Sequence, residues 1–262
     1  MSFTQQLLLH ISAIPLGFIV VGTSVVLSLS ASLFTYLIIP ESKSSKYSGI
    51  AFMLFGGTTL IYSILLTAML FTSWIGFNDA RLNVEKEANC LVELYRTAEA
   101  FPSEIKQNIQ NRVEEYAKSI IDKEWDSLAR SQLNKHTTVL SKGLWATYSS
   151  YVPKTPTEQV YLQESLRRII ELRRCRMQRL MDSRAGVNPI LWLVLIIGEI
   201  TTVTSIAFFS DDLKSRLSMA VIFAILIGLI FYTILLFDFP FTGQIDQVTV
   251  SPEPIKQAII YW

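Results

Sequence analysis

Reactive side chains are scarce in this sequence. It holds two histidines and two cysteines among 262 residues. His10 and His136 are far apart and lack ligand spacing, so neither a zinc centre nor a catalytic histidine is indicated. Cys90 and Cys175 are too few for a disulfide framework and make no metal site as a pair. An excess of either charge is also missing: 23 Lys and Arg stand against 22 Asp and Glu. That balance excludes a nucleic-acid-binding composition, and no nucleic-acid partner is expected. No Lys or Arg precedes the first apolar run, which is itself too long for a cleaved signal peptide. The charged helices show no nucleophile–base pair, metal cluster or phosphate-binding loop. The sequence therefore predicts a protein that is not an enzyme and uses no cofactor.

What is abundant is apolar sequence. Half of the residues are hydrophobic, and the mean hydropathy is +0.37. They are blocked rather than spread. Residues 79–186 hold 18 of the Lys and Arg and 15 of the Asp and Glu, while the flanking blocks are largely uncharged. This pattern predicts an all-α membrane protein with four transmembrane helices and a helical insert between spans two and three. The expected organisation is a first hairpin over about 1–78, with spans near 16–39 and 50–78. A charged helical domain follows over 79–186. A second hairpin covers about 187–241, with spans near 189–209 and 217–237, and a tail runs over 242–262.

The stretch from Gly49 to Arg96 joins a span to the insert without a proline. Read as one helix from Ile50 to Ala100, it would be about 75 Å long. That is more than twice the roughly 30 Å hydrocarbon thickness of a bilayer. Before it, the first span ends at Pro40, and Gly17, Ser24, Ser28 and Ser32 recur along it at helical spacing. Such a stripe suits close helix approach or a hydroxyl-lined conduit. Phe101-Pro102-Ser103 breaks the long helix, since Pro disfavours helix at the residue before it. The next segment places Ile105, Ile109, Val113, Tyr116, Ile120 and Leu128 near one face of an amphipathic helix. A less regular helix is predicted over about Gln132 to Ser150. Thr155 then reads as an N-cap, with Pro156 at the first helical position and Glu158 closing a capping box. That helix runs to about Arg184 and turns Leu166, Ile169, Ile170, Met177 and Leu180 inward. Asn188 and Pro189 start the third span in the same way. Ile245–Val250 alternates like a strand.

Four spans put both termini and the insert on one side. Lys and Arg near the span ends, above all Arg167 to Arg184 with Arg81 and Lys86, favour a cytoplasmic insert. Lys43 and Lys46 in the first short loop oppose this, and the arginine cluster outweighs them.

The second span carries Gly56, Thr59, Ser63, Thr67, Trp74 and Asn78 on one helical stripe. Copies of such a span around an axis can line a wet pore. The same residues can instead pack against the first and third spans. Phe71 and Trp74, about one turn apart, can form a bulky constriction or serve as interfacial aromatics. Glu199 is the ionisable residue deep inside a span, and burying a carboxylate there costs at least about 2.5 kcal/mol. It is a functional candidate for a cation path or a proton-sensing element, and Thr202 is a neighbouring hydroxyl that could bond it. Asp238, Pro240 and Gly243 form an interfacial turn after the fourth span. Arg167, Arg168, Arg173, Arg174 and Arg176 are candidates for attracting anionic lipid head groups or anions.

Two blocks carry a resemblance. NDARLNVEKEANCLVELYRTAEAFP followed by EEYAKSIIDKEWDSLA, and LLFDFPFTGQIDQVTVSPEPIKQAI, resemble the hallmarks of the bestrophin-like family, also labelled DUF4239. The residues that carry it include Glu87, Tyr95, Pro102, Tyr116, Glu124, Trp125, Asp238, Pro240, Phe241 and Gly243. The similarity covers nearly the whole chain. It implies kinship of layout with bestrophins, which are anion channels built as homo-pentamers of four-span subunits. In those the second span lines the pore, and the helices between spans two and three are cytoplasmic. By that analogy the chain is expected to assemble with copies of itself and to contact membrane lipids.

Overall fold

Helix capping and apolar periodicity divide the chain into ten α-helices among the described residues. The computed structural model describes residues 3–38, 48–184, 186–206, 212–243, 249–260 and 262. The helices are α1 (Phe3–His10), α2 (Ala13–Ile38), α3 (Ser48–Thr97), α4 (Ser103–Ser119), α5 (Trp125–Ala129), α6 (Lys135–Ser149), α7 (Pro156–Asp182), α8 (Pro189–Ile206), α9 (Leu213–Asp238) and α10 (Glu253–Ile260). They fall into two units. A charged unit comprises Met1–Leu9, Gly76–Ala185 and Phe239–Trp262, and a span unit comprises His10–Ile75 and Gly186–Asp238.

The signals read in the sequence act locally as physics requires. Phe101 is extended (φ −99°, ψ 160°) before Pro102, and a 3-10 turn over Ala98–Ala100 precedes it. The helix expected from about Gln132 starts at Lys135, because Asn134, which the sequence reading did not single out, caps it by accepting from His136 N at 2.9 Å and Thr137 N at 3.2 Å. Thr155 Oγ1 accepts from Glu158 N at 3.1 Å at the start of α7. The Glu158 carboxylate accepts from Lys154 N and the Tyr151 hydroxyl, each at 2.7 Å. Asn188 Oδ1 accepts from Ile190 N at 3.0 Å at the start of α8. Helix α3 is 50 residues long and passes through Asn78–Asp79 without a break. Pro40, Lys43 and Lys46, the far end of the third span at 207–209, and most of the alternation at Ile245–Val250 lie outside the described residues. Val250 itself is buried and its N–H bonds Pro240 O at 2.7 Å.

In the span unit, four helices are long and apolar enough to cross a bilayer: α2, the first part of α3, α8 and α9. Helix α2 packs most extensively on α9. Their approach is close because the facing residues are small. A Cβ on Gly228 would lie 3.0 Å from Val21 Cα and 3.1 Å from Ser24 Cβ. Ser24, Ser28, Ser32 and Thr35 of α2 are all buried. Helix α3 docks on α8 through Tyr62. Its ring fills the space a side chain at Gly198 would need, 2.4 Å from an added Cβ, and its hydroxyl donates to Leu195 O at 2.9 Å.

The charged unit is built on buried seams at three- and four-residue spacing. On α3 these are Ala80, Val84, Glu87, Leu91 and Leu94, with Ala98 in the turn beyond. On α4 and its continuation they are Ile109, Val113, Tyr116, Ile120 and Glu124, with Leu128 beyond. A π-helical turn over Ile120–Glu124 joins α4 to α5 and rephases the helix there. On α7 the seam is Ser165, Ile169, Leu172, Arg176, Arg179 and Ser183. Ile170 and Met177, expected to face inward, are 51% and 52% exposed. Arg176 and Arg179 occupy inward positions instead. At the edge of this unit Gln5 of α1 donates to Ser131 Oγ at 2.7 Å and Ala129 O at 3.2 Å. Ser131 Oγ in turn donates to Ser183 O at 2.6 Å, so a polar knot seats the first helix.

Candidate functional site

The second span shows two faces. Tyr62, Leu66, Met69 and Ser73 are buried against the rest of the span unit. Gly56, Ser63, Thr67, Phe71 and Trp74 are exposed on the opposite side, and nothing lies within 4 Å of a Cβ built on Gly56. The stripe of small residues is therefore not what docks this helix within the subunit; an aromatic and two large aliphatic side chains do that. Thr59 is half-buried and its hydroxyl, though buried, makes no hydrogen bond. Ser63 Oγ donates to Leu60 O and Thr67 Oγ1 to Ser63 O, both at 2.8 Å. Phe71 and Trp74 stack with ring centroids 5.8 Å apart.

Glu199 of α8 is 1% exposed. Its Oε1 contacts the Ser24 hydroxyl and accepts from Ser28 Oγ at 3.1 Å. Ser24 Oγ also lies 3.0 Å from Ala224 O of α9, so one polar cluster ties three spans. The partner anticipated on its own helix, Thr202, does not serve. Its hydroxyl is buried without a bond, while the small stripe of α2 supplies the hydroxyls from across the helix interface. Asp238 ends α9, where its carboxylate accepts from Val187 N. A turn follows, with Thr242 N bonded to Phe239 O at 3.0 Å, and Gly243 adopts φ +152°.

The arginine cluster of α7 divides by helical phase. Arg167 and Arg174 are exposed, and Arg167 pairs with Glu164 at 2.7 Å. Arg168 bridges Glu93 at 2.6 Å, Glu164 at 2.8 Å and Glu171 at 3.2 Å. Arg173 lies over the Trp145 ring at 5.8 Å. Arg176, read with the others as a cation facing lipid or anions, is turned inward. It is 8% exposed and grips Glu124 through Nη2–Oε1 at 2.6 Å and Nε–Oε1 at 3.1 Å, with Nη2 reaching Thr138 Oγ1 at 3.0 Å. Arg179 is fully buried. It meets Glu87 through Nε at 2.7 Å and Nη2 at 3.2 Å, and Glu124 through Nη2 at 3.0 Å. Its guanidinium sits over the Trp125 ring at 5.4 Å, and Trp125 packs edge-on to Phe241.

This quartet of two carboxylates and two guanidiniums is formally neutral, which is how four ionised groups can be tolerated out of water. Burial disfavours the cation of Arg179, but the carboxylates of Glu87 and Glu124 outweigh it and hold the side chain above its ordinary range. Burial and the nearby Glu87 push the Tyr116 hydroxyl well above its ordinary range. That hydroxyl and Arg179 Nη1 are buried without partners. Sequence reasoning singled out Glu87, Tyr116, Glu124 and Trp125 as hallmark positions and assigned them no role. The signal for the missing half was phase: Arg176 and Arg179 fall in register with Ile169 and Leu172, whereas Arg167, Arg173 and Arg174 do not.

A family model described as Bestrophin-like domain matches residues 22–255. No curated protein and no solved structure matches the chain. The match and the four apolar helices together make the chain an integral membrane protein.

Proposed function

The chain belongs to the bestrophin-like family, and on that premise we propose that it forms a homo-oligomeric ion channel, anion-conducting, with α3 as the pore wall. One observation carries this reading. Within the subunit α3 docks through Tyr62, Leu66 and Met69 and leaves uncovered a broad face that holds Gly56, Ser63 and Thr67 together with large apolar residues such as Leu60, Ile61 and Ile64. One four-span subunit is too thin to enclose a pore, so copies must surround an axis, five by analogy with bestrophins. Ser63 and Thr67 then line the path, with hydroxyls that must turn from Leu60 O and Ser63 O to meet the permeant ion and with Thr59 behind them, and Phe71 with Trp74 forms a constriction that gates by dewetting. Both termini and the charged unit lie in the cytoplasm, as the Lys and Arg of α7 and the start of the charged half of α3 favour. The exposed Arg167 and Arg174 attract anions or anionic lipid head groups. Reconstitution in planar bilayers tests the proposal. Currents are expected, and Thr67→Lys should shift the reversal potential further towards the anion equilibrium. Absence of conductance under every ion, pH and calcium condition tried would sink it.

A second reading, a non-conducting membrane scaffold whose charged helices dock a partner, draws support from the back-bonded hydroxyls of Ser63 and Thr67, which need no water. It predicts an oligomer whose axis is sealed or filled with lipid.

A further inference from the structure

Helices α6 and α7 border a cavity of about 160 Å³ that neither the pore reading nor the quartet uses. Three basic side chains line it: Lys142 of α6, and Arg173 and Arg176 of α7. Ser141 of α6 adds a hydroxyl, while that of Thr138 donates to Asn134 O at 2.8 Å and accepts from Arg176, and no carboxylate is among the lining residues. In a unit where acids and bases nearly balance, a concavity lined by two cations outside any ion pair, a third backed by Glu124 and no acid is a selective arrangement. Lys142 and Arg173 enter no ion pair among the described residues. Arg176 differs from both because it is oriented from behind. Glu124 engages its Nε and Nη2, and Nη1 takes part in none of these bonds. Arg173 is steadied over Trp145. Two guanidiniums held in place by other groups lose little side-chain freedom on binding, and guanidinium donors match tetrahedral oxyanions. Met177, 52% exposed, gives the cavity an apolar wall that suits the carbon stem of an ester.

We propose that this cavity binds a phosphoryl-type oxyanion, as inorganic phosphate or as the phosphate of a small ester, held by Lys142, Arg173 and Arg176 with the hydroxyl of Ser141. The site is independent of whether the span unit conducts. Because Arg176 also grips Glu124, an occupied site braces the helices that meet at the quartet, so binding is readable as stabilisation.

The experiment uses the full chain in detergent, with thermal unfolding followed in phosphate, in glycerol phosphate and in chloride at one ionic strength. Phosphate or glycerol phosphate should raise the midpoint above its value in chloride, and the arm that responds identifies the source of the oxyanion. Lys142→Ala with Arg173→Ala changes two exposed side chains and leaves the fold intact. It should weaken binding at least tenfold by calorimetry. Lys118→Ala, on an exposed ion pair elsewhere, should leave binding unchanged. Equal midpoints in all three salts, or an undiminished response in the double variant, would overturn the proposal.

Discussion

Replacing Arg179 by Met tests how the charged unit is held together. Arg179 makes three charge-assisted bonds to two carboxylates, at 2.7, 3.2 and 3.0 Å. Glu124 keeps Arg176 when Arg179 is lost, at 2.6 Å. Glu87 keeps no cation, because among the described residues it forms an ion pair with Arg179 alone, and it is fully buried. Removing one partner of a buried pair typically costs about 3–5 kcal/mol, chiefly because the other charge is stranded. Arg179→Met should therefore cost about that much. Adding Glu87→Leu removes the stranded charge and leaves Glu124 and Arg176 as a balanced pair. The double variant should recover most of the loss, to within about 1–2 kcal/mol of the starting protein, since apolar replacement of a buried pair is often neutral. The residual includes the contact of Arg179 with Trp125, worth about 1 kcal/mol. Urea unfolding of the detergent-solubilised chain, followed by tryptophan fluorescence, measures all three proteins, and Trp125 reports on the site directly. The reasoning is refuted if Arg179→Met costs under about 1 kcal/mol, or if the double variant is as unstable as the single.

Two further changes probe other parts of the chain. Gly198→Ala should destabilise by about 1–3 kcal/mol, because its Cβ would overlap the Tyr62 ring and the crowded interface must open; a Tyr62→Ala background should erase that penalty in the same unfolding assay. Bonds from Lys154 N and the Tyr151 hydroxyl hold the Glu158 carboxyl below the usual carboxylate range. Its stabilisation is thus fully present above the unfolded value near 4.3 and is lost as pH falls through the lower folded value. Glu158→Gln should flatten the acid side of a plot of unfolding midpoint against pH, and an unchanged slope would count against the assignment.

Elements were legible where the cause is local. Pro102, Thr155 and Asn188 act on residues within a few positions, and each marks a helix boundary in the structure, whereas the Asn134 cap went unread and the helix was expected from about Gln132. The apolar face of α4 was readable for the same reason, since Ile109, Val113, Tyr116 and Ile120 declare it by spacing. Partnerships were not legible. Glu87 and Arg179 are 92 residues apart, and Ser24 and Glu199 are 175 apart, so only tertiary packing brings them together. The arginines of α7 also misled by number. Seven basic residues in 18 positions read as a solvated block, and the two that belong to the core differ from the rest only in phase. The same blind spot placed Ile170 and Met177 inward, because apolar character was weighed above register. For the span unit the small residues of α2 and those of α3 looked alike in sequence. One set is buried at a helix crossing and the other is uncovered, a difference fixed by which face carries Tyr62, Leu66 and Met69.

The buried charges also bear on how α3 and α7 find their alignment. These helices run antiparallel: Ser165 bonds Thr97, Arg168 pairs with Glu93, and Arg179 pairs with Glu87. Apolar seams alone would accept a slip of one turn, about 5.4 Å, at modest loss, because one Leu packs nearly as well as the next. With Arg179 displaced by a turn, its guanidinium would leave Glu87 and face aliphatic neighbours, stranding both ions. The quartet thus acts as a key among otherwise interchangeable ridges, penalising every misaligned pairing more heavily than it rewards the right one. A chain with the quartet replaced by aliphatics should be of comparable stability at equilibrium, yet it should populate slipped pairings during refolding that the quartet penalises.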